Sequence, residues 1–243
     1  MAEGEKATML PDGLLQNVQE DVLRRNVAYV KKNLSQNRYK NNTAAKLIAV
    51  TKTVSAEVIE CLKPLEILDI GENRTQTCLP KLQKISQEFQ LHWIGRLQTN
   101  KVKDIIEHVS LLHSMDRMSL AQEVNRRMAS VERVLPVLLQ VNITCEPQKT
   151  GLNITEVRPF LQKIKSFSNL QVQGLMAMMP LGAEEEQLTH WFRGMRILFE
   201  ELREEAMDGV QMEELSMGMS NDYMIAAREG ATMVRVGTAL YRA

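Results

Sequence analysis

The sequence is poor in the residues that build metal centres and disulfide frameworks. Its three cysteines, Cys61, Cys78 and Cys145, form no CxxC pair, and its four histidines are scattered. That pattern argues against a structural zinc site and against a disulfide scaffold. Charge of one sign is missing too: 30 Lys and Arg balance 30 Asp and Glu. No global field therefore recruits nucleic acid or an anionic membrane. Long hydrophobic runs are absent, so no segment reads as a bilayer span. The opening Met1-Ala-Glu-Gly-Glu-Lys lacks the basic and apolar regions of a signal peptide. There is no Pro/Gly/Ser-rich linker, no repeat and no low-complexity segment. These absences lead us to expect one cytoplasmic domain over residues 1–243, with residues 1–12 as a flexible tail.

What is present is alternation. Apolar residues at helical spacing predict a helix over Leu14–Asn33, followed by a polar loop. Short apolar runs then predict strands at Leu47–Thr51, Ile67–Ile70, Leu91–Gly95, Leu111–Ser114, Leu135–Ile143, Val172–Met178, Glu214–Met217 and Met233–Val236. Helical patterns separate them at Ala56–Leu62, Thr75–Phe89, Lys101–Glu107, Met118–Met128, Ile154–Ser166, Glu184–Glu205 and Tyr223–Ala227. Strands alternating with helices imply a parallel sheet, and eight strands close a (β/α)8 TIM barrel. An open doubly wound sheet would alternate identically, but no GxGxxG follows the first strand, which favours the barrel. The expected fold class is α/β, a single barrel with an extra N-terminal helix. Most of the fifteen methionines read as flexible core filler.

In such a barrel the active face is built from the carboxyl ends of the strands, with a phosphate site commonly after strands seven and eight. Lys52 closes the first apolar run, where a partly desolvated amine would suit Schiff-base chemistry. Strand seven runs into Ser216-Met217-Gly218-Met219-Ser220, in which small residues around a glycine allow backbone N–H groups to approach an anion. Strand eight ends in Arg235-Val236-Gly237-Thr238, supplying a second close-approach glycine, a hydroxyl and a cation. A lysine beside a phosphate cradle is the arrangement that pyridoxal 5′-phosphate requires. Arg235 is the candidate partner for its ring nitrogen, and an arginine there weakens the ring as an electron sink. Pairing of Arg235 with a carboxylate inside the barrel is the alternative.

Several motifs carry a resemblance: Ala49-Val50-Thr51-Lys52-Thr53, Gly71-Glu72-Asn73, His92-Trp93-Ile94-Gly95-Arg96-Leu97-Gln98-Thr99-Asn100-Lys101, Gly174-Leu175-Met176-Ala177-Met178, Leu215-Ser216-Met217-Gly218-Met219-Ser220 and Met233-Val234-Arg235-Val236-Gly237-Thr238. In this order they resemble the YggS/PROSC family of pyridoxal phosphate homeostasis proteins, from about Leu14 to Tyr241. The resemblance implies a barrel like the N-terminal domain of alanine racemase, with Lys52 as the Schiff-base lysine. Ser216 and the Gly237-Thr238 pair match the phosphate ligands, Met217 to Ser220 complete that loop, Arg235 faces the pyridine nitrogen and Asn73 lies near the ring. Such proteins bind, buffer or deliver the cofactor, with apo-enzymes as possible recipients, and are not established catalysts. The chain departs from many relatives at Arg96 and Arg74, which bear on ligand preference.

A racemase is the competing reading, and racemisation needs a base on each face of the bound substrate. Of the four tyrosines, Tyr29, Tyr39, Tyr223 and Tyr241, only Tyr223 follows the phosphate loop closely, and helix packing explains it better. His92, at the start of strand three, is expected to point away from the active face, and Cys145 is a candidate in principle only. Lys149, after strand five, reads as a solvated loop lysine, with a transient acceptor in cofactor exchange as the other reading. No dimerising domain or heptad is visible, so a monomer is expected.

Overall fold

The structure is a computed structural model that describes residues 8–9, 14–16, 18–40, 42–144, 146 and 150–242. The expected tail at 1–12, apart from Thr8 and Met9, lies outside these residues, as do Cys145 and Lys149.

Eight parallel strands close on themselves: β1 Lys46–Val50, β2 Asp69–Glu72, β3 Gln90–Trp93, β4 Val109–Met115, β5 Leu135–Gln140, β6 Leu170–Met176, β7 Val210–Ser216 and β8 Met233–Val236. Each pairs with its sequence neighbour, and β8 closes the ring on β1 with Val236 opposite Ala49. The helices around this ring are α1 Glu20–Gln36, α2 Ala56–Glu60, α3 Thr75–Leu82, α4 Val102–Ile105, α5 Met118–Ser130, α6 Ile154–Ile164, α7 Glu185–Glu204, α8 Tyr223–Arg228 and α9 Thr238–Tyr241. All eight expected strands are present, and the barrel is the fold.

Alternation along the strands divides the core in two. Outward residues such as Leu47, Ala49, Leu91, Trp93, Leu175 and Leu215 pack with the buried faces of the helices. Inward residues Ile48, Leu111, Leu138, Met176 and Met233 fill the barrel as a separate apolar layer. Among the methionines, Met115, Met128, Met176, Met179, Met195, Met212, Met217 and Met233 are buried, whereas Met178 and Met224 are exposed.

The departures from expectation have local causes. The first helix begins at Glu20, not Leu14, because Leu15 is extended and bridges Val54 beyond β1. Its N–H donates to Thr53 O (2.7 Å), and its carbonyl accepts from Ser55 N–H (3.1 Å). The helix expected over Thr75–Phe89 ends at Leu82. Pro80 lies within its last turn, where a proline removes one donor and crowds the preceding carbonyls. The segment expected as a helix over Lys101–Glu107 is one turn of α-helix between two 3₁₀ turns. β5 stops at Gln140, after which Val141 donates its N–H to the Met176 carbonyl (2.8 Å) and forms an isolated bridge to Leu152.

Candidate functional site

The carboxyl ends of β1, β2, β7 and β8 bring the expected site residues together. Behind the site, Thr51 is fully buried, and its hydroxyl donates to Glu72 Oε1 (2.7 Å). Lys81 from α3 reaches under the same turn, pairing with Glu72 and donating to the Thr51 carbonyl (2.9 Å). This buried pair anchors the end of β1. Lys52, the next residue, is exposed and makes no hydrogen bond or ion pair among the described residues. The desolvation expected of it is therefore not present, although its place at the strand end is as expected.

Register delivers the second half of the site. Pairing of Val236 with Ala49 sets Gly237 beside Val50, and a Cβ on Gly237 would sit 3.2 Å from Val50 Cβ. The loop after β8 thus lies against the strand that carries Lys52. The loop after β7 turns through Gly218 at φ +94°, and a Cβ there would meet Ala226 Cβ at 2.5 Å. Ser220 bridges the two loops, its hydroxyl oxygen accepting from the N–H groups of Gly237 (3.2 Å) and Ala239 (3.3 Å). Asp222 holds the turn by accepting from Met219 N–H (2.5 Å), and burial raises its carboxyl pKa against the pull of that bond and of Arg235. Thr238 is exposed beside Gly237.

Two expectations within this loop change. Ser216 points into the barrel interior: it is fully buried, its hydroxyl oxygen accepts from Arg235 Nη1 (2.6 Å) and it bonds His113 Nδ1 (2.9 Å). Met217 turns its side chain into the outer core, and its N–H is taken by the Met233 carbonyl (3.1 Å). Ser220 is the serine of this loop whose hydroxyl meets the loop after β8.

Arg235 is 3% exposed, and its Nη2 donates to the Ala177 carbonyl (2.8 Å). No carboxylate pairs with it directly among the described residues, against the alternative raised from the sequence. Burial pushes its pKa down to about 10, with Asp222 opposing, so the guanidinium stays charged at neutral pH. Asn73 follows β2 and packs against Gly95; its Oδ1 is buried with no hydrogen-bond partner among the described residues. Arg74 and Arg96 are exposed on the loops after β2 and β3.

His92 points into the barrel, bonding Asp69 (2.8 Å) and His113 (2.9 Å). His113 escaped the sequence reading. Its one signal was a polar residue two positions from the inward Leu111 within an apolar strand. Tyr223 is buried against α1, where its hydroxyl oxygen accepts from Asn33 Nδ2 (2.8 Å). That is the packing role expected of it. Among the described residues, no group of three His, Cys, Asp or Glu could hold a metal ion, and no helix is long and apolar enough to cross a membrane.

A closed parallel barrel with a lysine after its first strand and glycine-bearing loops joined after its last two defines a protein of the alanine racemase N-terminal-domain class. The family model described as "Alanine racemase, N-terminal domain" matches residues 18–243. The chain belongs to the family of pyridoxal phosphate homeostasis proteins. It is 38% identical to the protein of that name from Aquifex aeolicus, over 83% of this chain and 88% of the relative. The Escherichia coli protein of that name is 31% identical, over 81% of this chain and 85% of the relative. The structure of PipY from Synechococcus elongatus with PLP bound aligns with a TM-score of 0.80 at 30% identity, covering 90% of this chain and all of PipY. An alanine racemase from Clostridium difficile shares the fold, with a TM-score of 0.73 at 17% identity, and this chain covers 56% of it.

Proposed function

We propose that this chain binds pyridoxal 5′-phosphate covalently through Lys52 and serves its intracellular homeostasis, buffering the cofactor or passing it to apo-enzymes. The observation that carries this reading is the juxtaposition at the β8–β1 seam. There Gly237, bonded to Ser220, packs on Val50 two residues before Lys52. The family name and the PLP-bound PipY structure support the same cofactor.

The residues fit the group. Lys52 offers an accessible amine, and Ser220, Gly237 and Thr238 form the phosphate cradle, with Gly218 turning the loop that carries Ser220. The orphaned Asn73 Oδ1 offers an acceptor at the ring. Arg235 serves the pyridine nitrogen, with Ser216 supporting it from beneath. The chemistry supplied by the bound group is a carbonyl that condenses with amines and an electron-withdrawing ring. Arg235 donates but does not give up its proton, so it restrains the ring nitrogen from the protonated state that carbanion chemistry needs. Tyr223 is committed to Asn33 and Tyr241, three residues past Thr238, is buried, so neither tyrosine beside these loops is an exposed second base for the racemase reading. A carrier is the reading these groups support, and we propose that it works as a cytoplasmic monomer.

The test is optical. Purified protein given pyridoxal phosphate should turn yellow, and borohydride should fix the cofactor on the peptide containing Lys52. Lys52→Ala should take up no covalent cofactor. A wild-type protein that stays colourless would sink the reading. Transfer to apo-enzymes, compared with free buffered cofactor, tests delivery.

A further inference from the structure

Five side chains form one continuous hydrogen-bonded line through the barrel interior. It starts at Asp69, the first residue of β2, whose side chain is 24% exposed and lies 3.8 Å from Lys46 Nζ. It runs through His92 on β3 (2.8 Å) and His113 on β4 (2.9 Å) to Ser216, the last residue of β7 (2.9 Å). It ends at Arg235 on β8 (2.6 Å). His92 is 3% exposed, and His113 and Ser216 are fully buried.

Donor bookkeeping gives this line a direction. Arg235 can only donate, so Ser216 Oγ accepts there. Every other arrangement must leave a group unmatched. If His113 Nδ1 carried the proton, Ser216 Oγ would accept twice, and its buried hydroxyl hydrogen would have no acceptor among the described residues. Ser216 therefore donates to His113 Nδ1, His113 Nε2–H donates to His92 Nδ1, and His92 Nε2–H donates to Asp69. The anchor fits: burial works to raise the Asp69 pKa, but the His92 bond and the Lys46 charge outweigh it and keep the carboxylate ionised.

We propose that Asp69, His92 and His113 are positioning residues, forming a one-way line that commits the Ser216 hydroxyl and locks Arg235 as a fixed donor to the cofactor's ring nitrogen. The direction of the line stands on geometry alone; its action on the cofactor rests on the pyridoxal phosphate reading above. Carbonyl and serine acceptors hold two arms of the guanidinium. Bonds aligned head to tail polarise one another, so a change at Asp69 is felt at Ser216.

The experiment uses cofactor-free full-length protein labelled with ¹⁵N at its four histidines. At about pH 7.5, the ring-nitrogen shifts of His92 and His113 should report neutral imidazoles with the proton on Nε2. A proton on Nδ1, or a doubly protonated ring, overturns the line. Asp69→Asn allows an amide to donate to His92, so both rings should move toward the Nδ1–H tautomer. The same variant should hold pyridoxal phosphate about tenfold less tightly, the worth of roughly one net hydrogen bond. It should also shift the pH profile of the bound cofactor's absorbance, which a merely structural residue would leave in place. Unchanged affinity and an unchanged profile in Asp69→Asn overturn the positioning role. Should the variant fail to fold, the wild-type tautomers decide. A wild type that takes up no cofactor overturns the pyridoxal phosphate reading, and the tautomers then uphold or overturn the line by themselves.

Discussion

Gly218 shows how one backbone position governs the loop after β7. Its φ of +94° is a left-handed conformation that costs other residues, and Ala226 and Tyr223 crowd the place where a side chain would begin. Gly218→Ala should lose about 1–3 kcal/mol of stability, read from the urea unfolding midpoint. It should also weaken cofactor retention, because Arg235 N–H donates to the Gly218 carbonyl. The glycine was legible from Ser216-x-Gly218-x-Ser220, but the different duties of the two serines were not. Three residues separate them, and only the bend at Gly218 reveals that Ser216 turns inward to Arg235 while Ser220 turns to Gly237. His113 was silent for a related reason: a histidine inside an apolar strand has no motif, and its partners Ser216 and His92 come from distant strands.

The pairing of α3 with β2 sets the turn that carries Lys52. Glu72 is 1% exposed and Lys81 5%, so each would be an uncompensated buried charge without the other. Lys81→Met should cost about 3–5 kcal/mol in chemical denaturation. Glu72→Leu added to it should recover a large part, because an apolar pair of similar volume leaves no charge stranded. Nearby, burial foremost and then Glu72 raise the Cys78 thiol to about 12, so thiol reagents should leave it unmodified in the folded protein. The strands were readable because buried parallel strands are apolar runs bounded by polar turns. Helix ends were less so. Pro80 and Lys81 follow the pattern of a longer helix in sequence, yet Lys81 is drawn beneath β1 and the helix stops one residue later. Leu15 likewise fits the helical spacing of Val18 and Val22, but backbone bonds to Thr53 and Ser55 hold it extended.

The barrel interior couples fold stability to acidity. Burial first, then the charges of His92 and Arg235, holds the His113 pKa well below 6.5. The unfolded chain therefore binds a proton that the folded chain refuses, in the window from about 6.5 down to the depressed folded value. Stability from this residue is complete above that window and is lost as pH falls through it. Urea midpoints should decline on acidification below about pH 6.5, and His113→Gln should flatten that decline. The eightfold alternation made the barrel legible, but this polar line was hidden, because only closure brings β4 opposite β7.

The seam between β8 and β1 has a consequence for how the protein is made. Lys52 leaves the ribosome just after β1, and Gly237 and Thr238 follow only once β8 has been made. Asn26 on α1 must also wait for the Leu240 and Arg242 carbonyls that it binds. A nascent chain therefore carries the reactive amine long before it has a cradle. On our reading, stable capture of the aldehyde becomes a sign of complete barrel closure. Unfinished or misfolded chains would be unable to withdraw the cofactor from the cell's supply.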